Sequence, residues 1–307
     1  MFQLGFTSAI VPELSFDQLF ALAGRIGYDC IEVMCWPPSK AERRYSGITH
    51  IDISQIDDSL IESVQKTCET TGVAISALGY YPNALSPDKS DSETAVKHLK
   101  DLIAAAPKFG VQTVNTFIGR DYTLSVDANW PRLLETWKPI LTVAAEHNVK
   151  IGIENCPMLF GADEWPGGKN IATTPAIWTR LFNDLDSESL GLNYDPSHMV
   201  WQHMCYLEPI RKFSDKFFHA HAKDVRIDRE RLNQVGILAH PNDYHTPKLP
   251  GMGEVDWGMF FSELTDSQYR GPVCVEVEDR AYEASDDLRE LALRQSHTYL
   301  RNFIPKT

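Results

Sequence analysis

The chain of 307 residues carries 29 Lys and Arg against 42 Asp and Glu, a net charge of −13, with 43% hydrophobic and 23% charged residues. That apolar share supplies a sizeable core and excludes an intrinsically disordered chain. The acidic balance repels a phosphate backbone, so nucleic acid is not an expected partner and a small molecule is.

Cys30, Cys35, Cys68, Cys156, Cys205 and Cys274 form no Cys-x-x-Cys pair, and several lie inside apolar runs such as VCVEV. Reduced, buried thiols of a cytoplasmic protein are the expectation. The start, MFQLGFTSAIVPEL, has no basic segment ahead of an apolar one. No window approaches about 18 uninterrupted apolar residues, so neither export nor a membrane span is expected.

Short apolar runs alternate with stretches of helical periodicity along the whole chain. Strand 2–7 (FQLGFT) precedes helix 16–27, strand 29–34 precedes helix 57–71, and strand 73–79 precedes helix 91–109. Strand 111–117 and helix 130–147 follow, then strand 149–154 with helix 174–185 and strand 190–195 with helix 204–214. Strand 217–222 is separated from helix 256–269 by a long connection, and strand 272–277 with helix 285–303 closes the series. Ser15, Asp57, Asp91 and Asp256 stand where helix N-caps are wanted, and Gly27, Gly72, Gly110 and Gly271 where helices stop.

Eight such units predict an α/β fold, a (β/α)8 TIM barrel, as a single domain over residues 1–307. A doubly wound sheet would place a Gly-rich phosphate loop after the first strand, and GFTSAIVPEL is not one. The connection at about 223–255, with Pro241, Pro247, Pro250, Gly251 and Gly253, is longer than inert loops usually are and is read as a lid.

Alternate residues of a barrel strand point outward to helices and inward to the interior. This parity places Glu154 inward on the fifth strand, Asp195 on the sixth, His219 and His221 on the seventh and Glu276 on the eighth. All but His219 lie near the C-terminal strand ends, where barrel enzymes build their sites. His219 sits one layer deeper and suits a supporting role. Glu278 shares the parity of Glu276 and is its rival, but falls in the loop.

Three carboxylates and an imidazole buried among apolar strands call for a cation. Glu154, Asp195, His221 and Glu276 are therefore the candidate ligands of one divalent metal ion, Mn²⁺, Mg²⁺ or Co²⁺ ahead of Zn²⁺. Lys223 could reach the rim and contact substrate, or stand solvated at the base of the lid. Trp36, Tyr80, Asn83, Asn115 and Trp165 follow strand ends and could line a polyol pocket, rings against C–H faces and amides on hydroxyls.

The motifs IENCP (153–157), LNYDPSH (192–198), HAHAKD (219–224), PGMGEVDW (250–257) and VEVED (275–279) resemble the sugar isomerase and epimerase family with the xylose-isomerase-like barrel, over nearly all of the chain. That family also holds ketose 3-epimerases, hydroxypyruvate isomerase, inosose dehydratase and endonuclease IV. The resemblance implies the same four metal ligands, a residue that contacts the substrate or orients the site in His198, and a hydroxyl or phosphate contact for Arg226.

The resulting expectation is a metal-dependent sugar, sugar-phosphate or polyol isomerase or epimerase, with Glu154 and Glu276 transferring a proton through an enediolate. Loss of a β-hydroxyl from the same intermediate would instead make a dehydratase of a keto-polyol such as inosose. An endonuclease IV-like phosphodiester hydrolase needs further histidines at earlier strand ends; His98 falls in a helix, and only the lid pair Asp243 and His245 echoes such a cluster. A non-catalytic sugar-binding barrel would lack one of the two glutamates. A homo-oligomer is compatible with the architecture.

Overall fold

The computed structural model describes residues 2–38, 45–159 and 167–304. Strands β1 (Gln3–Thr7), β2 (Cys30–Met34), β3 (Ala74–Gly79), β4 (Thr113–Thr116), β5 (Lys150–Glu154), β6 (Leu190–Tyr194), β7 (Phe217–Ala222) and β10 (Pro272–Val275) form a closed barrel in the order β1-β10-β7-β6-β5-β4-β3-β2. β8 (Asp224–Ile227) and β9 (His245–Lys248) form a separate antiparallel pair. Between strands lie helices α1 (Phe16–Ile26), α2 (Asp58–Thr71), α3 (Lys89–Ala105), α4 (Val126–Glu146), α5 (Pro175–Leu185), α6 (Ser197–Trp201), α7 (Glu208–Lys212), α8 (Arg229–Val235), α9 (Trp257–Asp266) and α10 (Asp286–Leu300). The fold is the (β/α)8 barrel that the alternation predicts.

Two compact units divide the chain, one of Met1–Glu32, Thr67–Ser76 and Asp195–Thr307, the other of Val33–Lys66 and Ala77–Tyr194. In the first, β1 pairs in parallel with β10, and β10 with β7, in a register that sets Gly5 beside Cys274 and Cys274 beside His221. A Cβ on Gly5 would sit 2.7 Å from the sulfurs of both Cys274 and Cys30, so only glycine fits that level. Outside the strands, the buried Phe6 and Tyr28 rings meet at 4.9 Å and the Tyr28 hydroxyl donates to the Leu293 carbonyl of α10. Trp257 and Phe260 of α9 are likewise buried, each aromatic contributing about 1.5–3 kcal/mol by leaving water.

In the second unit β3, β4, β5 and β6 pair in parallel, with Asn115 level with Gly79 on one side and Gly152 on the other. Leu133, Trp137 and Ile140 of α4 are buried, and Trp137 donates its ring N–H to the Ile118 carbonyl. Trp178 of α5 meets Tyr194 of β6 edge-on, which puts Tyr194 on the helix side of its strand and its neighbour Asn193 on the other.

Ser15, Asp57 and Asp256 cap their helices as expected. At α3 the cap is Asp88 rather than Asp91, because the extended backbone at Asp88 lets its carboxylate accept from the Asp91 N–H. Gly27, Gly72 and Gly110 adopt the left-handed conformation that ends a helix, whereas after α9 it is Gln268, not Gly271, that turns the chain.

The helix expected at 204–214 is instead the short α7, with α6 ahead of it. Pro209 has no N–H for the Cys205 carbonyl and its ring would press on it, so a helix can begin near Glu208 but cannot run through from 204. The long 223–255 connection is ordered rather than irregular. β8 and β9 make a hairpin-like ladder from Asp224↔Lys248 to Ile227↔His245, with α8 and a short turn at Pro241–Asp243 at its far end.

Candidate active site

The functional residues of the first unit gather around the ends of β7 and β10. Asp195 follows β6 directly, is wholly buried, and its Oδ1 accepts the Ser197 N–H. His221 is the fifth residue of β7, and alternation sends it to the interior with His219, their rings 5.7 Å apart. Glu276 follows β10, its N–H donating to the Ala222 carbonyl and so prolonging the ladder by one residue. Asp195, His221 and Glu276 each offer a ligand atom within 4.8 Å of the others.

Lys223 lies at the centre of this cluster and is almost wholly buried. Its Nζ stands 2.6 Å from Glu276 Oε2, 2.9 Å from Asp195 Oδ2 and 3.0 Å from Glu278 Oε2. His198 Nε2 lies 3.2 Å from both Lys223 Nζ and Asp195 Oδ2. The His198 Nδ1 accepts from the Trp201 ring N–H one turn along α6, which leaves the ring proton on Nε2, facing Asp195. Glu278 thus shares the cluster with Glu276 through Lys223, although its own side chain is more open to solvent, 26% against 18%.

Beneath them lies Glu32 of β2, buried and 2.6 Å from His221 Nε2. His219 Nδ1 is 4.0 Å from the same oxygen, and its Nε2 is 3.2 Å from the Ser76 hydroxyl. Counting Glu32, Asp195, Glu276 and Glu278 against Lys223, carboxylates outnumber the ammonium. The donor set of Asp195, His221 and Glu276, oxygens with one imidazole nitrogen at ligand spacing, fits a divalent cation.

Asp224, next to Lys223 in the chain, ties the long connection to itself and to α9. Its carboxylate accepts from the N–H groups of Val225, Gly251 and Val255 and from the Trp257 ring. Burial raises its pKa above 3.8 while these donors pull it back. Gly253 passes so close that a Cβ would lie 2.2 Å from Asp224 Oδ1, a physical reason for glycine at that position of the PGMGEVDW run. Lys248 pairs with buried Asp279 at 2.9 Å, tying β9 to the segment after β10. His245, at the start of β9, stacks on Trp201 at 5.0 Å with planes 7° apart, and burial lowers its pKa to about 4. Arg226 is exposed on β8.

In the second unit Glu154 is the last residue of β5 and is 3% exposed. Asn170, wholly buried, donates to the carbonyls of Glu154 and Cys156 and so clamps the turn of the IENCP motif. Asn115 is wholly buried, and among the described residues neither its Oδ1 nor its Nδ2 has a hydrogen-bond partner. It leans over Gly152, where a Cβ would come within 2.3 Å of its Oδ1. Asn193 donates to the Tyr81 hydroxyl.

Asn83 is committed to the backbone, its amide exchanging hydrogen bonds with the Arg120 N–H and carbonyl. Trp36, Tyr80 and His98 form an edge-on aromatic row, with His98 on the Cys35 carbonyl. Trp165 lies outside the described residues.

Residues 20–303 match the family of xylose isomerase-like TIM barrels. The chain belongs to that family. Among curated relatives, uncharacterized protein YfiH of Bacillus subtilis is 25% identical over 309 residues, 90% of this chain and 93% of that one. An inosose dehydratase of Lactiplantibacillus plantarum is 22% identical over 225 residues, 69% of this chain and 70% of that enzyme. Among solved structures, D-psicose 3-epimerase from Clostridium cellulolyticum superposes with a TM-score of 0.70 at 16% identity, covering 98% of this chain and 99% of that one. IolI protein, whose crystal structure holds a zinc atom, gives 0.70 at 17% identity with 98% of both chains covered. These xylose isomerase-like neighbours include epimerases and dehydratases on one fold.

Two supporting residues escaped the sequence reading. Glu32 carried a usable signal, a charged residue within CIEVM on the parity of Cys30. Asn170, in a polar GGKNIATT stretch, carried none, since its partners are backbone carbonyls met only in the folded chain.

Proposed function

We propose that the chain is a metal-dependent isomerase or epimerase of a small keto-sugar or keto-polyol, with Glu154, Asp195, His221 and Glu276 holding one divalent ion. The observation that carries this reading is the ligand spacing of Asp195, His221 and Glu276 around a buried lysine. Glu154 comes from β5 by its buried position at a C-terminal strand end, the rim on which barrel enzymes assemble their sites. The ion, when bound, supplies positive charge that acidifies a C–H between carbonyl and hydroxyl.

Glu154 and Glu276 then serve as base and acid on opposite faces of the substrate. One removes the proton and the other returns it, to the same carbon for epimerisation or to its neighbour for isomerisation. Lys223 and His198 hydrogen-bond the oxygen on which charge develops, Lys223 as a fixed ammonium. Asn115 binds a substrate hydroxyl with its amide, which as a buried polar group calls for partners. Arg226 and Trp165 are the further substrate contacts, with Arg226 meeting an outer hydroxyl or phosphate from the hairpin. The 223–255 segment forms the lid of a single catalytic domain. Among the described residues the six cysteines form no disulfide, in keeping with a reducing, cytoplasmic setting.

Dehydration of a keto-polyol is the second reading, favoured by the likeness to inosose dehydratases. Lys223 or His198 would then protonate the departing hydroxyl. Incubation in D₂O with Mn²⁺ and a panel of ketoses, inososes and hydroxypyruvate separates the two. Deuterium enters recovered substrate and its isomer in the first case, and water is lost in the second. No exchange and no elimination across free and phosphorylated substrates would sink both.

A further inference from the structure

A histidine offers two nitrogens, and at His221 they face different partners. Nε2 lies 2.6 Å from Glu32 Oε2, and Nδ1 lies 3.4 Å from Glu276 Oε2. Atoms that share one ion at bond lengths of about 2.0–2.2 Å stand about 3 Å or more apart, so the second spacing suits two ligands and the first suits a hydrogen bond. Glu32, His219 and His221 also lie within 4.8 Å as a potential ligand group, but the Glu32–His221 approach is too short to admit an ion between them.

We infer that Glu32 is a positioning residue, which accepts the Nε2–H of His221 and thereby turns Nδ1 toward the divalent ion. The inference rests on the metal site proposed above. Glu32 is suited to this: it is wholly buried on β2, where Thr7 of β1 stands level with it, and its other histidine neighbour, His219, is tethered to Ser76. A carboxylate holding the far nitrogen of a ligating histidine sets the ring's tautomer and orientation and increases its basicity as a ligand. The negative charge and the fixed angle both act on the ion through His221, with no contact between Glu32 and substrate required.

The test uses the full-length protein and two readouts that do not depend on turnover. In wild type labelled with ¹⁵N-histidine and loaded with ¹¹³Cd²⁺, the metal coupling is expected at Nδ1 of His221, with a slowly exchanging proton on Nε2. Coupling at Nε2 would overturn the inference, whatever the variants do. In Mn²⁺ titrations, Glu32→Ala and Glu32→Gln should weaken binding by about 10–100-fold, Ala more than Gln because the amide can still accept the hydrogen bond. Asp195→Asn serves as the control that removes a ligand outright. If Asp195→Asn weakens binding and both Glu32 variants match wild type, the role of Glu32 fails while the site stands. If wild type binds neither Mn²⁺ nor Cd²⁺, the site itself fails and the inference with it. Should Glu32→Ala not fold, Glu32→Gln and the wild-type coupling decide.

Discussion

Lys223 Nζ lies 2.6 Å from Glu276 Oε2, in a cluster where Asp195 Oδ2 is only 2.9 Å from the same nitrogen. A buried ammonium therefore sits among the carboxylates that the proposed ion would use. Removing one partner of such a buried pair typically costs about 3–5 kcal/mol. Lys223→Met should lower the thermal stability of the metal-free protein by that order, and Mn²⁺ should restore more of it than it adds to wild type. Calorimetry with and without Mn²⁺ checks this, and equal metal-induced shifts in the two proteins would contradict it.

Asp195→Asn keeps the shape of the side chain and its acceptance of the Ser197 N–H but removes the charge. The rise in Tm that Mn²⁺ gives wild type should fall by more than half, since stabilisation follows ligand affinity. An undiminished rise would remove Asp195 from the ligand set.

Glu154→Gln and Glu276→Gln should each slow turnover by about 10²–10⁴-fold, the usual contribution of a positioned acid or base. Their exchange patterns should differ, since each carboxylate serves one face of the substrate. Stereospecific deuterium incorporation, read by NMR, reports which face has been lost. Identical residual patterns would argue against opposed roles.

His245 is buried against Trp201, and desolvation, followed by the charges of His198 and Lys223, depresses its pKa from 6.5 to about 4 despite its bond to the Pro241 carbonyl. The neutral ring is the folded form. Its contribution is present above pH 6.5 and is lost as pH falls from 6.5 toward 4, at most about 3 kcal/mol for a shift of this size. Backbone exchange of the β8–β9 pair should accelerate over that window, and the His245 ring should titrate near 4 by NMR. A ring titrating near 6.5 would show that the hairpin leaves it open to water.

Gly253→Ala would force a Cβ to 2.2 Å from Asp224 Oδ1 and 2.5 Å from the Val225 carbonyl. Overpacking of this kind costs about 1–3 kcal/mol, and here it would also disturb the donors held by Asp224. Thermal unfolding should shift down accordingly. Gly236→Ala serves as comparison, because among the described residues nothing lies within 4 Å of a Cβ there, although its φ of +76° adds backbone strain of its own.

Much of this architecture was legible in the residue pattern. The alternation in FFHAHA separates the two histidines from Phe218 and Ala220 by period alone, and caps such as Ser15 and Asp256 announce their helices through local hydrogen bonds. Local rules failed where two signals competed within a few residues. Asp88 displaced Asp91 as a cap, and Pro209 broke a helix that periodicity had extended.

What the sequence determined by itself is the succession of strands and helices and the inward parity of Asp195, His221 and Glu276, because both follow from the period of the backbone. Which inward groups meet is a matter of strand register and side-chain reach. Tertiary structure alone set Lys223 among three carboxylates, put Glu32 on the far nitrogen of His221, and folded the 223–255 segment back through Asp224. Those contacts join residues 27 to 189 positions apart, at distances that no spacing along the chain encodes.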